Sequence, residues 1–263
     1  MITVMKKQKQ YNLLYNLRFY VLASAVLLSV IAVAWLRLQI PSNQLFYIRT
    51  EQVFGLLCIL YWYIAIVISP LGYVVGKQRI PHLLFARRAI GVSAAYFALL
   101  HMAVALWGQL GGLSQLGLLP SLFKWSLLAG FIAVVILLIM AATSFDRVVS
   151  KMTFVRWKWL HRLVYLGGIL AILHIWAVGT HLAYFGVQIT AFVALAALGG
   201  LESYRLVTIL ANRHKELKGK DYFVTLVLVI WVIFMALVLA IPILVNNYHS
   251  GHHSIARTSK VIT

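Results

Sequence analysis

The chain has 263 residues, of which 63% are hydrophobic and only 11% charged, and its mean hydropathy is +0.92. Soluble domains carry about a quarter charged residues, so this composition excludes an ordinary soluble protein and indicates an all-α integral membrane protein. The net charge of +18 does not indicate nucleic-acid binding, because most of the basic residues lie on one side of the predicted membrane segments.

Seven apolar segments are long enough to cross a bilayer, whose core of about 30 Å needs about 20 helical residues. We therefore predict a bundle of about seven transmembrane helices, at residues 17–36, 53–75, 89–109, 125–143, 160–178, 182–210 and 222–245. A basic cytoplasmic segment, 1–16, precedes the bundle at 17–245, and an external tail that contains histidines, 246–263, follows it.

The distribution of Lys and Arg predicts the orientation. With the N-terminus inside, 18 basic residues lie on the cytoplasmic side and 5 outside. This asymmetry follows the positive-inside rule and predicts an N-in, C-out protein of the cell (inner or plasma) membrane. The first span has no small-residue cleavage pattern after it, so we expect an uncleaved anchor.

Three histidines lie inside the apolar segments: His101 in the third span, and His161 and His174 in the fifth. An ionisable side chain in hydrocarbon is costly, so such residues face the bundle interior and pair with a proton, an ion or a metal. His101 lies thirteen residues after Arg88, and His174 lies thirteen after His161. Both are therefore about 20 Å outward of the cytoplasmic ends of parallel spans.

This shared depth predicts that His101 and His174 supply the two axial nitrogens of a six-coordinate b-type haem. The alternative for each histidine alone is a hydrogen bond to a neighbouring helix. Cys58 is the only cysteine and lies mid-span, so the chain has neither a disulfide framework nor a haem-attachment motif. Haem would be held non-covalently.

The role of His161 is open at this level. Thirteen residues of regular helix would leave it about 140° from His174, with Gly167 and Gly168 between them as a place for distortion or close porphyrin approach. His161 binds a second haem, lines a flavin or quinone pocket, or anchors the helix end. Arg87, fourteen residues before His101, lies about 40° from the face of that histidine.

Three strings carry a specific resemblance: RRAIGVSAAYFALLHMAVALW from Arg87, AATSF from Ala141, and WKWLHRLVYLGGILAILHIW from Trp157. In this order they resemble the ferric reductase-like transmembrane superfamily, and most of all its haem-binding membrane subunit of the bacterial methionine sulfoxide reductase system. The resemblance covers about residues 45–210. It implies a six-helix core, to which this chain adds a span, and electron transfer through b haem.

The resemblance matches His101, His161 and His174 to the family's histidine positions, so all three are candidate ligands of haem iron. Two-haem relatives carry two histidines on each helix, whereas this chain has Arg87 where the inner ligand is expected. Arginine there suits haem propionates, a flavin phosphate or quinone oxygens. Arg87, Arg88 and Arg162 are accordingly candidate cofactor-binding residues. One b-type haem is expected, and a second haem, FMN or FAD, or a quinone at the cytoplasmic side are open alternatives.

We therefore expect an oxidoreductase component in the lipid bilayer that moves electrons from a cytoplasmic flavin reductase or quinol to an external metal ion or partner oxidoreductase. The alternative is a transporter whose buried histidines relay protons, although all five acidic residues lie at or beyond the predicted span ends. A retinal photoreceptor is excluded, because the seventh span has no lysine for a Schiff base. Solvation is expected for His181, His82 and His214, and disorder for the HSGHH tail sequence of His249, His252 and His253, which otherwise suits weak Fe³⁺ or Cu²⁺ binding.

Overall fold

The structure is a computed structural model that describes residues 2–178 and 185–213, with side chains at 16–178 and 186–209. In these residues the chain is helical between short turns and has no strand, which confirms the predicted all-α membrane fold. The α-helices are α1 (Ile2–Gln39), α2 (Asn43–Val75), α3 (Pro81–Ala103), α4 (Ser121–Ala142), α5 (Asp146–Val149), α6 (Phe154–Leu160), α7 (Leu163–Val178) and α8 (Phe185–Arg213).

Six helical stretches among the described residues are long and apolar enough to cross a membrane. They are Asn16–Gln39, Asn43–Val75, Pro81–Gln109, Ser121–Ala142, Phe154–Val178 and Gly186–Ile209. Each overlaps one of the first six predicted spans, so the multi-pass membrane character is confirmed. The predicted seventh span and the external tail lie outside the described residues, and the count of seven and the orientation remain predictions.

The chain forms two compact units, residues 1–171 and residues 172–263. The first contains α1 to α6 and the start of α7; the described part of the second contains the end of α7 and all of α8. In the second unit, Glu202 and Arg205 form an ion pair of 2.8 Å one turn apart on α8. Residues three apart on a helix are neighbours on its surface, so the spacing accounts for this pair.

Local sequence sets the ends of the helices in the first unit. Ser42 caps α2 by accepting a hydrogen bond from the Leu45 amide, and Thr153 caps α6 by accepting one from Arg156. Gly76 ends α2 with φ of +91°, a conformation that a side chain would oppose. Pro70 lies inside α2, where its ring removes an amide donor and disturbs the preceding turn.

Helix α3 is the centre of the first unit, packed against α1, α2 and α4. Its buried face is made of small residues, with Ser93, Ala94, Ala95 and Ala98 almost fully enclosed. Small side chains let membrane helices approach closely and gain dispersion contacts, which matter most where lipid removes the hydrophobic driving force between helices. The small residues of α3 therefore explain how it packs closely against α1, α2 and α4.

One large side chain, Phe97, fills the space that these small residues leave. It is fully buried, and its ring centroid lies 5.3 Å from that of Tyr61, 5.3 Å from that of Tyr96 and 6.2 Å from that of Phe54. The Tyr96 hydroxyl in turn shares a hydrogen bond of 2.8 Å with Ser29 on α1. This aromatic cluster joins α1, α2 and α3.

We expect Phe97→Ala to destabilise the first unit by about 2 kcal/mol, because it opens a cavity while the apolar transfer term is small in lipid. Thermal unfolding in detergent, followed by fluorescence, measures the loss. Leu99→Ala on the exposed side of α3 is the control and should cost much less. Equal losses for the two variants would contradict the packing described for α3.

Candidate functional site

His101 lies near the C-terminal end of α3 and contacts α2. Its Nδ1 is 3.0 Å from the backbone carbonyl oxygen of Glu51 and 3.6 Å from the carboxylate Oε1 of the same residue. The first distance is that of a hydrogen bond and the second is not. A carbonyl can only accept, so Nδ1 is the donor and carries the ring proton. Nε2 then holds the lone pair with which an imidazole binds a metal.

The backbone changes its pitch directly after His101. Residues Val104–Gln109 form a π-helix, and the Leu110 amide donates to the Ala105 carbonyl at 2.9 Å, five residues back. Single π-turns inside α-helices occur frequently at functional sites. Gly108 in this turn packs on the ring of Tyr47, where a Cβ would lie 2.7 Å from Cδ1. Glycine is therefore required for the close approach of the π-turn to α2.

Arg87 lies at the other end of α3 and also contacts α2, where its Nε donates to the Ala65 carbonyl at 3.0 Å. Fourteen residues separate Arg87 from His101, and fourteen separate Glu51 from Ala65. The antiparallel helices therefore keep one register at both contacts. The prediction that Arg87 and His101 share a face of α3 is confirmed by these contacts, which lie about 21 Å apart along the helix.

Arg88 belongs to a charged network around the single carboxylate of Asp146. Its Nη1 is 3.0 Å from Oδ1 of Asp146, and Nη1 of Arg18 is 3.0 Å from Oδ2. The Arg88 guanidinium also lies 5.2 Å from the ring centroid of Trp157. Asp146 thus ties α1 and α3 to the turn after α4, and Arg88 extends the network to α6.

His161 lies in the turn between α6 and α7, beside the end of α4. Its ring centroid is 4.2 Å from that of Trp157, and its Nε2 is 3.3 Å from the hydroxyl of Thr143. That hydroxyl donates its one proton to the Ile139 carbonyl at 2.8 Å, so it accepts from His161. The proton of His161 is therefore on Nε2, the opposite nitrogen from that of His101.

The sequence-based angle of about 140° between His161 and His174 assumed a regular helix through His161. That assumption is wrong. Helix α6 ends at Leu160 and α7 begins at Leu163, and the Arg162 amide bonds three residues back to Trp159 at 3.1 Å. The Trp157 indole donates to the Thr143 carbonyl at 3.1 Å, so both Trp157 and His161 hold this turn against α4. The two anchors account for the local tightening.

The two glycines of α7 do not produce this irregularity. Gly167 lies inside regular helix, where a Cβ would stand 3.0 Å from the Trp62 ring and 3.2 Å from Ile136. Gly168 has no side chain or foreign backbone within 4 Å of that position. Gly167 is thus a close-packing residue, and the irregular backbone lies five residues earlier.

Arg162 lies over the ring of Trp159 at 4.1 Å, and His82 is exposed near the start of α3. His174 lies in the second unit, so its pairing with His101 remains a prediction. His181, His214 and the external tail fall outside the described residues.

The donor set of the first unit fits haem better than a bare metal ion. Among residues 2–178 and 185–213, no three His, Cys, Asp or Glu side chains are grouped to hold an ion. An imidazole whose Nδ1 proton is held by a carbonyl oxygen, as in His101, suits axial ligation of haem iron through its other nitrogen. Trp62 adds a buried indole N–H that has no partner among the described residues, as expected beside a bound group with its own acceptors.

Sequence reasoning did not identify four residues that hold these side chains: Glu51, Thr143, Asp146 and Trp157. Glu51 and Thr143 act through backbone or hydroxyl oxygens, which leaves no compositional signal. Asp146 offered a signal, because it is the only acidic residue between Glu51 and Glu202. An isolated acid among arginines predicts an ion pair.

The family model described as "Ferric reductase like transmembrane component" matches residues 53–172, so the resemblance to this superfamily is confirmed. That segment extends from α2 into α7 and includes the contacts of Arg87, Arg88 and His161 described above.

Several curated relatives, all with the same name, also match this chain. The chain is 36% identical over 120 residues to the protein-methionine-sulfoxide reductase heme-binding subunit MsrQ of Deinococcus radiodurans, covering 43% of this chain and 54% of the relative. It is 33% identical over 132 residues to MsrQ of Bordetella pertussis, covering 50% and 60%. The chain spans about half the length of the curated relatives it matches, and no solved structure matches it.

The hydrogen bond between Trp157 and Thr143 can be tested directly. We expect Trp157→Phe to cost about 1 kcal/mol, because it keeps the aromatic contact with His161 and removes one buried hydrogen bond. Trp159→Phe, at an exposed position, is the matched control and should be nearly neutral. Chemical denaturation in detergent measures both; a neutral Trp157→Phe would show that this hydrogen bond does not hold the turn.

Proposed function

We propose that this chain is a membrane haem protein that transfers electrons across the bilayer, from a cytoplasmic flavin reductase or quinol to an external metal ion or partner oxidoreductase. The observation that carries the proposal is the held imidazole of His101, which lies in a membrane span with its proton directed to the Glu51 carbonyl at 3.0 Å. The name of the curated relatives, heme-binding subunit, supports the same cofactor.

His101 and His174 are the proposed axial ligands of one b-type haem. The pairing rests on their equal distances from the cytoplasmic ends of their spans and on the motif match. Bound haem supplies a centre that takes up and releases one electron at a time. The Glu51 carbonyl keeps the imidazole of His101 in one orientation and increases its basicity as a ligand.

The inner site is proposed to receive the reductant. Arg87 and Arg88 place two fixed positive charges beside Trp157 and His161, and arginine forks suit phosphate, carboxylate or quinone oxygens. The Nε2 proton of His161 is held by the Thr143 hydroxyl at 3.3 Å, which favours a hydrogen-bonding wall of a flavin or quinone pocket over ligation of a second haem. Arg162 is proposed to contribute charge at the same end of its span.

Alanine variants distinguish the roles of the three histidines. Purified protein from haem-replete cells should show a reduced b-type spectrum and release its haem into acid acetone, because no covalent attachment motif exists. His101→Ala and His174→Ala should each lose the low-spin spectrum, since one imidazole leaves an iron position open. His161→Ala should retain it and instead slow reduction.

His82→Ala is the matched control, because His82 is exposed at the start of α3 and should leave spectrum and reduction unchanged. Low-spin haem that survives loss of His174 but not of His161 would show that the proposed ligand pair is wrong. Colourless protein after reconstitution would contradict the haem function and favour a proton-relay transporter.

The direction of transfer is tested with sealed vesicles. Since the basic side with Arg87 and Arg88 is predicted to be cytoplasmic, a soluble flavin reductase should reduce the haem in inside-out vesicles and not in right-side-out ones. Arg88→Ala should slow this reduction several-fold by removing one charge of the entry site, whereas dithionite should still reduce the variant. Reduction only in right-side-out vesicles would overturn the orientation.

A further inference from the structure

The imidazole of His101 rests on the bare backbone of α2 at Gly55. A Cβ at Gly55 would lie 3.0 Å from Nδ1, 3.2 Å from Cε1 and 3.7 Å from Cγ of His101, and these are the three nearest atoms it would meet. The first two distances are shorter than ordinary van der Waals contact. Gly55 is therefore part of the surface that the ring contacts, and any side chain there would compete with the ring for space.

Helix geometry links this glycine to the hydrogen bond of His101. Each Cα–Cβ bond in a helix tilts toward the N-terminus, so the Cβ of residue i+4 lies over the carbonyl of residue i. Gly55 is four residues after Glu51, and its amide is the regular helical partner of the Glu51 carbonyl. With no Cβ at Gly55, the second lone pair of that oxygen is accessible from the side, where Nδ1 of His101 approaches to 3.0 Å.

We propose that the Glu51 carbonyl and Gly55 form a seat that sets the ring plane and the proton position of His101, and so presents Nε2 to haem iron. This inference rests on the proposed haem function. Both are positioning residues, because they act through His101 and need not touch the haem. The Glu51 carboxylate is not the seat, since its nearest oxygen is 3.6 Å from Nδ1, beyond hydrogen-bond distance.

Because of the seat, we expect Gly55→Ala to change the melting temperature in the opposite direction from an ordinary glycine-to-alanine substitution in a helix. In the middle of a helix, replacing glycine by alanine ordinarily stabilises the protein, and Gly91→Ala should do so because nothing lies within 4 Å of the added Cβ. Gly91 is on α3, the same helix as His101, which makes it a matched control. Gly55→Ala should instead lower the melting temperature of the apoprotein, because the new methyl group meets the imidazole.

A double-mutant cycle assigns that clash. Gly55→Ala should no longer lower the melting temperature in a His101→Ala background, because the three nearest neighbours of the added methyl group are all atoms of the His101 ring. This measurement needs no haem, and it rescues the test if Gly55→Ala alone fails to fold. An undiminished loss in the His101→Ala background would overturn the seat.

The haem readout tests what the seat is for. In the holoprotein, Gly55→Ala should lose low-spin haem or shift the low-spin electron paramagnetic resonance signal, whereas Gly91→Ala should match the wild type. A Gly55→Ala signal identical to that of the wild type would overturn the positioning role while the haem function stands. Wild-type protein without haem would contradict the proposed function, and with it the ligand role, even where the cycle shows that Gly55 and His101 touch.

Discussion

The need to satisfy buried polar groups without water governs this membrane fold. In hydrocarbon each unpaired polar group costs several kcal/mol, so a polar side chain on a span must find a partner on a neighbouring helix. Here three such side chains use backbone carbonyls: His101 bonds to Glu51, Arg87 to Ala65, and Trp157 to Thr143. The positions of accessible carbonyls therefore decide where functional side chains are held.

Two of these carbonyls are accessible for a local reason. Gly55 leaves the Glu51 oxygen uncovered. Thr143 follows the last residue of α4, where carbonyls have no further amide in the helix. A glycine and a helix end weaken an isolated helix. In this bundle the same irregularities supply the acceptors that side chains of other spans require.

Much of the fold and part of the candidate site could be predicted from the sequence. Long apolar runs predicted six of the observed spans, since length and hydropathy alone decide whether a helix crosses a bilayer. The period of 3.6 residues also placed Arg87 and His101 on one face of α3. The partners of these residues could not be predicted, because every residue has a backbone carbonyl. Which carbonyl is accessible depends on how two helices meet. The break between α6 and α7 was missed for a similar reason: it depends on anchors to Thr143, fourteen and eighteen residues away.

The two imidazoles of the first unit are held in opposite tautomers, and this separates their chemistry. His101 donates from Nδ1 to a carbonyl, which leaves Nε2 as the basic nitrogen of its ring. His161 donates from Nε2 to a hydroxyl whose own proton is already committed to the Ile139 carbonyl. Ligation of iron through Nε2 would break the hydrogen bond between His161 and Thr143 and would leave that between His101 and Glu51 intact. An acceptor for the Nδ1 proton therefore favours metal ligation at His101, whereas an acceptor for the Nε2 proton favours hydrogen bonding to a small molecule at His161. The proposed haem site and the proposed entry site for electrons are thus distinguished by which nitrogen the neighbouring helix engages.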